Sequence, residues 1–179
     1  MVASMVAAFP TLSTRSGPAW ARWAIREIAV PVVAGALIAA TADVRLPIGL
    51  PGHRGLIWLT LLVVVAATSR VRATVIAVGV TATIGGLVAH GASWEGGRYV
   101  VAASALALLA GTTAVRRRPW LLAVAAAPIH LVAVAVPLGL AGAAGLTAKI
   151  VGHLIFGLAA GALGVSAAVA VTHPRFDPR

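Results

Sequence analysis

"IVGHLIFGLAAGALGVSAAVAV", residues 150–171, contains no aspartate, glutamate, lysine or arginine. As an α-helix at 1.5 Å per residue it measures ~33 Å, about the thickness of a bilayer's hydrocarbon core. Its apolar residues run without the strict alternation a membrane β-strand would show. Backbone that faces lipid must satisfy its own polar groups, which a helix does and an open strand does not. The rest of the chain has the same character. It is 60% hydrophobic and only 10% charged, with a mean hydropathy of +1.01. A soluble domain carries about a quarter charged residues. These features predict an all-α integral membrane protein. The absence of cysteine excludes disulfides, thiolate metal sites and a cysteine nucleophile.

Working back from that segment, the sequence predicts six transmembrane helices: 23–42, 55–68, 73–90, 99–115, 120–140 and 150–171. Residues 1–22 read as a loose N-terminal tail, with no basic stretch ahead of a signal-like apolar run. Residues 172–179 read as a C-terminal tail, and residues 23–171 as one domain. The 14 lysines and arginines fall mostly in the gaps between apolar runs. Ten lie on one side: Arg15, Arg22, Arg26, Arg70, Arg72, Arg116, Arg117, Arg118, Arg175 and Arg179. Arg45, Arg54, Arg98 and Lys149 lie on the other. The positive-inside rule makes the first side cytoplasmic, and with it both termini. This bias explains the net charge of +10 without nucleic acid. Arginine over lysine, with heavy use of alanine, valine and glycine, points to a GC-rich bacterial genome and so to a bacterial cytoplasmic membrane.

That orientation gathers His53, Arg54, His90, Trp94, Glu95, Arg98, Lys149 and His153 near the outer face. His130 is predicted deeper, ~15 Å along its helix from Trp120. An ionisable group inside a span is a functional candidate, and the alternative is a neutral histidine bonded to a neighbouring helix. Trp94 would stack on a planar ligand or anchor at the headgroups. Trp58 would likewise stack on a ring or face lipid. The second predicted helix is short. It draws attention to "LPIGLPGHRGLIWLTLL", residues 46–62. Non-helical backbone at membrane depth is tolerated only where protein covers it or it lines a cavity. Residues 47–54 therefore read as a cap over an outward-facing site, with His53 and Arg54 turned to the ligand.

Small residues recur four apart on several spans: Gly35 with Ala39, Ala36 with Ala40, and Gly157 with Gly161. Such rows let helix backbones approach closely, either within the bundle or against a partner. The early row on the first span is assigned to partner contact through Gly35, Ala36, Ala39 and Ala40.

Two other chemistries are weighed on the residues. His53, His90 and His153 suit a transition metal if they converge, but no pair shares an i, i+4 helix face. "GAS" at residues 91–93 with "GHLIFGLAAG" at residues 152–161 superficially resembles a rhomboid protease. Trp94, however, stands where that motif needs glycine. No phosphate-binding loop of the GxxxxGK[ST] type is present, so the chain has no ATPase of its own.

With "VAGALIAA" (residues 33–40), "RLPIGLPGHRGLIWL" (45–59) and "VGHLIFGLAAGALG" (151–164), the chain resembles the S component of energy-coupling-factor (ECF) vitamin transporters, the biotin-transporter branch being the nearest comparison. The resemblance implies a non-enzymatic membrane subunit without a cofactor. It would bind a small vitamin-like solute from outside. A transmembrane scaffold subunit and two ATPase subunits would supply the energy. Basic residues outnumber acidic ones at the outer face, which favours an anionic solute. The sequence leaves other readings: a structural or assembly subunit without a ligand, a metal carrier, or the rhomboid-like protease.

Overall fold

The structure, a computed structural model, describes residues 18–41, 51–91, 94–134 and 145–172. All regular structure in these residues is helical. Helix α1 runs Ala19–Thr41, α2 Gly55–Thr68, α3 Arg72–His90, α4 Trp94–Ala110, α5 Thr113–Arg117, α6 Leu121–His130 and α7 Leu146–Thr172. Among the described residues α1, α3 and α7 are long and apolar enough to cross a membrane, while α2, α4 and α6 are shorter apolar helices. The all-helical architecture of the described residues is that of a helical membrane protein.

The elements follow local chemistry. In α1 the segment Ile25–Ala29 widens to a π-turn. Pro31 lacks the N–H that would bond back to Glu27, and its ring crowds that turn, which accounts for the widening. Helix α3 stops at Gly91, whose φ of +79° suits glycine and whose N–H bonds back to the Leu87 carbonyl at 2.9 Å. The fourth span is predicted over 99–115. Instead α4 starts at Trp94 and stops at Ala110, because Thr112 caps a new helix by accepting from Val115 N–H at 3.3 Å. The fifth is predicted over 120–140. Its α-helix ends at His130 and tightens to a 3₁₀ turn over Leu131–Val134.

Packing follows the small residues. α7 lies between α2 and α6, α3 pairs with α4, and α1 leans on α3 and α2. On α7, Gly157 and Gly161 meet the backbone of α6 at Ala126, Ala127 and Ala123, while Gly164 meets Val63 and the Thr60 carbonyl on α2. On α3, Gly79 meets Ala103 and the Tyr99 carbonyl of α4. Without a hydrophobic drive between helices in lipid, such close approach supplies the dispersion contacts that hold the bundle. Interhelical hydrogen bonds add to it. Thr83 donates to the Gly96 carbonyl at 2.8 Å, and Thr60 donates to the Ala160 carbonyl at 3.3 Å. The Leu59, Leu62, Leu106 and Leu122 side chains fill the core between these contacts.

At the end of the bundle holding the start of α3, Glu27 ties three elements together. Its carboxylate accepts from the Arg70 N–H at 2.6 Å, from the Thr74 hydroxyl at 3.0 Å and from the Ser69 hydroxyl. The π-turn of α1 thus anchors the turn between α2 and α3.

Candidate functional site

At the opposite end, α2 begins where α6 ends. Pro51, Gly52, His53 and Arg54 form a turn leading into α2, with Gly55 and Leu56 N–H groups bonded back to the carbonyls of Gly52 and His53 at 3.0 and 3.1 Å. Gly52 adopts φ +96° and presses against the backbone of Gly152 and His153 on α7. A side chain there would suffer both strain and collision. The turn is therefore seated on α7.

Beneath it lies a cluster of rings. His130 is fully buried. Its Nδ1–H donates to the His153 carbonyl at 2.8 Å, and the His153 Nδ1–H donates to the Lys149 carbonyl at 2.8 Å. The two imidazole centroids are 5.0 Å apart. Trp58 on α2 meets His130 edge-on at 5.8 Å and Tyr99 at 5.5 Å, with interplanar angles of 67° and 83°. Edge-to-face rings at this separation attract through their quadrupoles. His130 Nε2 has no hydrogen-bond partner among the described residues. It faces Gly55, where an added Cβ would fall inside the imidazole. Only glycine fits at the first position of α2.

Arg98 extends this cluster. Its guanidinium carbon lies 4.9 Å from the Tyr99 ring centroid and 6.0 Å from that of Trp58, and Nη2 donates to the Tyr99 hydroxyl at 3.0 Å. A cation over two π-faces gains electrostatic attraction. Arg98 Nε is buried and has no partner among the described residues. Arg54, Arg98, Trp58 and Tyr99, with Ile38, Thr41 and Ile57, line one cleft of about 10 Å³, room for about one water. Two guanidiniums and two aromatic rings there offer charge-assisted donors and a stacking surface, the chemistry that holds a carboxylate or another small anion.

The residues singled out in the sequence therefore separate. Arg98, His130 and His153 come together, and Arg54 joins Arg98 at the cleft. His130 does not stand apart, since the His153 ring packs on it. Lys149 is exposed and contributes its carbonyl. His53 is half-buried in the turn above. Trp94 and Glu95 open α4, and their side chains lie outside the described residues, as do residues 47–50 of the predicted cap and Ser93. Among the described residues no three histidine or acidic side chains form a metal-binding group. Tyr99 and Gly55 were not singled out in the sequence. Tyr99 is the chain's single tyrosine and follows an arginine, which is a usable signal. Gly55 has none, because its role depends on a histidine 75 positions away.

The small-residue row on α1 also divides. Gly35 is buried and faces Thr81 of α3, and Ala39 lies beside Gly85. Ala36, Ala39 and Ala40 are all exposed, and Ala36 and Ala40 sit next to exposed Val32, Val33 and Leu37.

No family model, curated protein or solved structure matches this chain.

Proposed function

We propose that the chain is a six-span bacterial inner-membrane subunit, termini cytoplasmic, that binds a small anionic solute from the outer face. It would work as the S component of an ECF-type transporter does, with ATP hydrolysed by separate subunits. The observation that carries this reading is the cleft shared by Arg54 and Arg98 over the Trp58–Tyr99 pair. Guanidinium donors and an aromatic floor suit a carboxylate-bearing solute with a flat ring. The cleft is small as it stands, so the solute enters by displacing the long Arg54 and Arg98 side chains. The exposed Ala36–Ala40 row supplies a face on which a scaffold helix can lie.

Thermal unfolding of the purified chain against a panel of small ring-bearing carboxylates, at fixed ionic strength, tests the reading. At least one carboxylate should raise the midpoint for the wild type and for Arg117→Ala, but not for Arg54→Ala/Arg98→Ala. Equal shifts in all three proteins would reject the site. The reading of a structural subunit without a ligand rests on the same exposed alanine row and predicts no shift at all.

A further inference from the structure

A second cavity lies at the other end of the bundle. About 550 Å³ opens between the end of α2, the start of α3, the end of α4 and the start of α6. That is within the size range of small-molecule sites. Arg70, Arg72 and Arg116 line it on one side, and Val75, Ala107 and Leu122 supply apolar wall beside them.

Two of these arginines are built into one arrangement. Arg72 Nη2 and Arg116 Nη2 donate to the same acceptor, the Gly111 carbonyl, at 3.0 and 2.9 Å. The Arg72 guanidinium lies flat on the backbone at Gly111, where an added Cβ would fall within it. Two like charges are thus held side by side on one neutral oxygen, and each guanidinium retains further donors. Glu27, the one acid whose side chain is described, is engaged by Ser69, Thr74 and the Arg70 N–H. No carboxylate among the described residues pairs with Arg72 or Arg116. Converging guanidiniums without a counter-ion among the described residues call for a multivalent oxyanion, and planar forks match phosphate geometry. The apolar walls beside them suit a ligand with a greasy portion. The "SRVR" and "RRRPW" turns that carry these arginines also fit the cytoplasmic leaflet, where anionic headgroups concentrate.

From this we infer that the cavity bounded by Arg70, Arg72 and Arg116 is a phosphate-binding site, distinct from the Arg54–Arg98 cleft. Its occupant is an anionic phospholipid headgroup or a soluble phosphate.

Native mass spectrometry of the full chain in detergent with added phosphatidylglycerol tests the lipid source. A parallel titration with inorganic phosphate at constant ionic strength, read by thermal unfolding, tests the soluble one. Wild type should retain a phosphatidylglycerol adduct or be stabilised by phosphate. Arg72→Gln/Arg116→Gln should weaken that response by about tenfold or more, the worth of one lost charge-assisted hydrogen bond. Arg117→Gln/Arg118→Gln removes the same charge from neighbours that do not line the cavity and should behave as wild type. Gly111→Ala keeps every charge but displaces Arg72, and should weaken the response as well, which general electrostatics would not do. Its outcome also stands in if the double arginine variant fails to fold. A response in the lipid arm alone identifies a headgroup, and one in the phosphate arm alone a soluble ligand. If neither arm separates wild type from Arg72→Gln/Arg116→Gln and Gly111→Ala, or if Arg117→Gln/Arg118→Gln loses as much, the site does not exist.

Discussion

His130 on α6 donates from Nδ1 to the main-chain carbonyl of His153 on α7, 2.8 Å away, while its other ring nitrogen abuts Gly55 of α2. One buried imidazole therefore registers three helices at the end of the bundle where the candidate cleft lies.

That relationship predicts a coupled pair of substitutions. Gly55→Ala places a methyl inside the His130 ring and should destabilise the protein by about 1–3 kcal/mol, the usual cost of overpacking. His130→Ala should also destabilise it, by about 2–5 kcal/mol, through the void left behind. In the double variant the new methyl occupies part of that void. Its cost should be well below the sum of the two, as expected for residues in contact. Thermal unfolding in detergent of the four proteins measures the coupling, and strict additivity would contradict the contact.

Glu27→Gln should weaken the anchor between α1 and the turn ahead of α3. The carboxylate accepts three bonds on two oxygens, and an amide offers one acceptor oxygen. Hydrogen bonds to a charged group contribute ~1.5–3 kcal/mol, so a loss of about that size is expected. Hydrogen exchange at the Arg70 amide should quicken, while exchange at Gly91, at the far end of α3, should not change.

The glycine row of α7 serves the bundle itself. An added methyl at Gly161 would meet the backbone of Ala123, at 2.5 Å from its carbonyl oxygen, and backbone cannot swing aside. Gly161→Ala should cost about 1–3 kcal/mol by forcing α6 and α7 apart. Ala162, one position on, is exposed, and Ala162→Leu should be nearly neutral in the same unfolding measurement.

On α1 the buried and exposed small residues should respond differently. Ala34 is buried against the bundle, so Ala34→Leu should lower thermal stability of the isolated chain. Ala36→Leu/Ala40→Leu should leave that stability unchanged and reduce recovery of a complex when the chain is co-expressed with an ECF scaffold subunit and its ATPases. An undiminished complex would remove those two alanines from partner contact.

Much of the fold is legible in the sequence because lipid leaves few choices. Long uncharged runs must be helices, and 55–68 is read to the residue because arginine and glycine precede it and the "SR" turn follows. Residues 94–98 are misjudged because glycines and charges look like a loop, yet tertiary packing against Thr83 makes them the first turn of α4. The division of the α1 row was not legible either. Spacing identifies Gly35, Ala36, Ala39 and Ala40 as small, but only the position of Thr81 and Gly85 says which side faces α3. The candidate site is half legible. Arg54, Arg98, His130 and His153 stand out as rare polar residues in an apolar chain. Their ring partners Trp58 and Tyr99 are ordinary membrane-protein residues until the helices bring them together. In the sequence the arginines around Gly111 read only as a charge bias between apolar runs, so their convergence leaves no separate trace there.

The most direct test of solute binding is mass spectrometry of small molecules extracted from the protein after purification from its own membrane. If Arg54 and Arg98 hold an anion over Trp58 and Tyr99, one small acid should co-purify with the wild type in near-stoichiometric amount. It should fall by about tenfold or more in Arg98→Ala, which removes a charge-assisted donor, and stay unchanged in Arg117→Ala. The same small molecules in the same amounts from wild type and Arg98→Ala would contradict a binding site at this cleft.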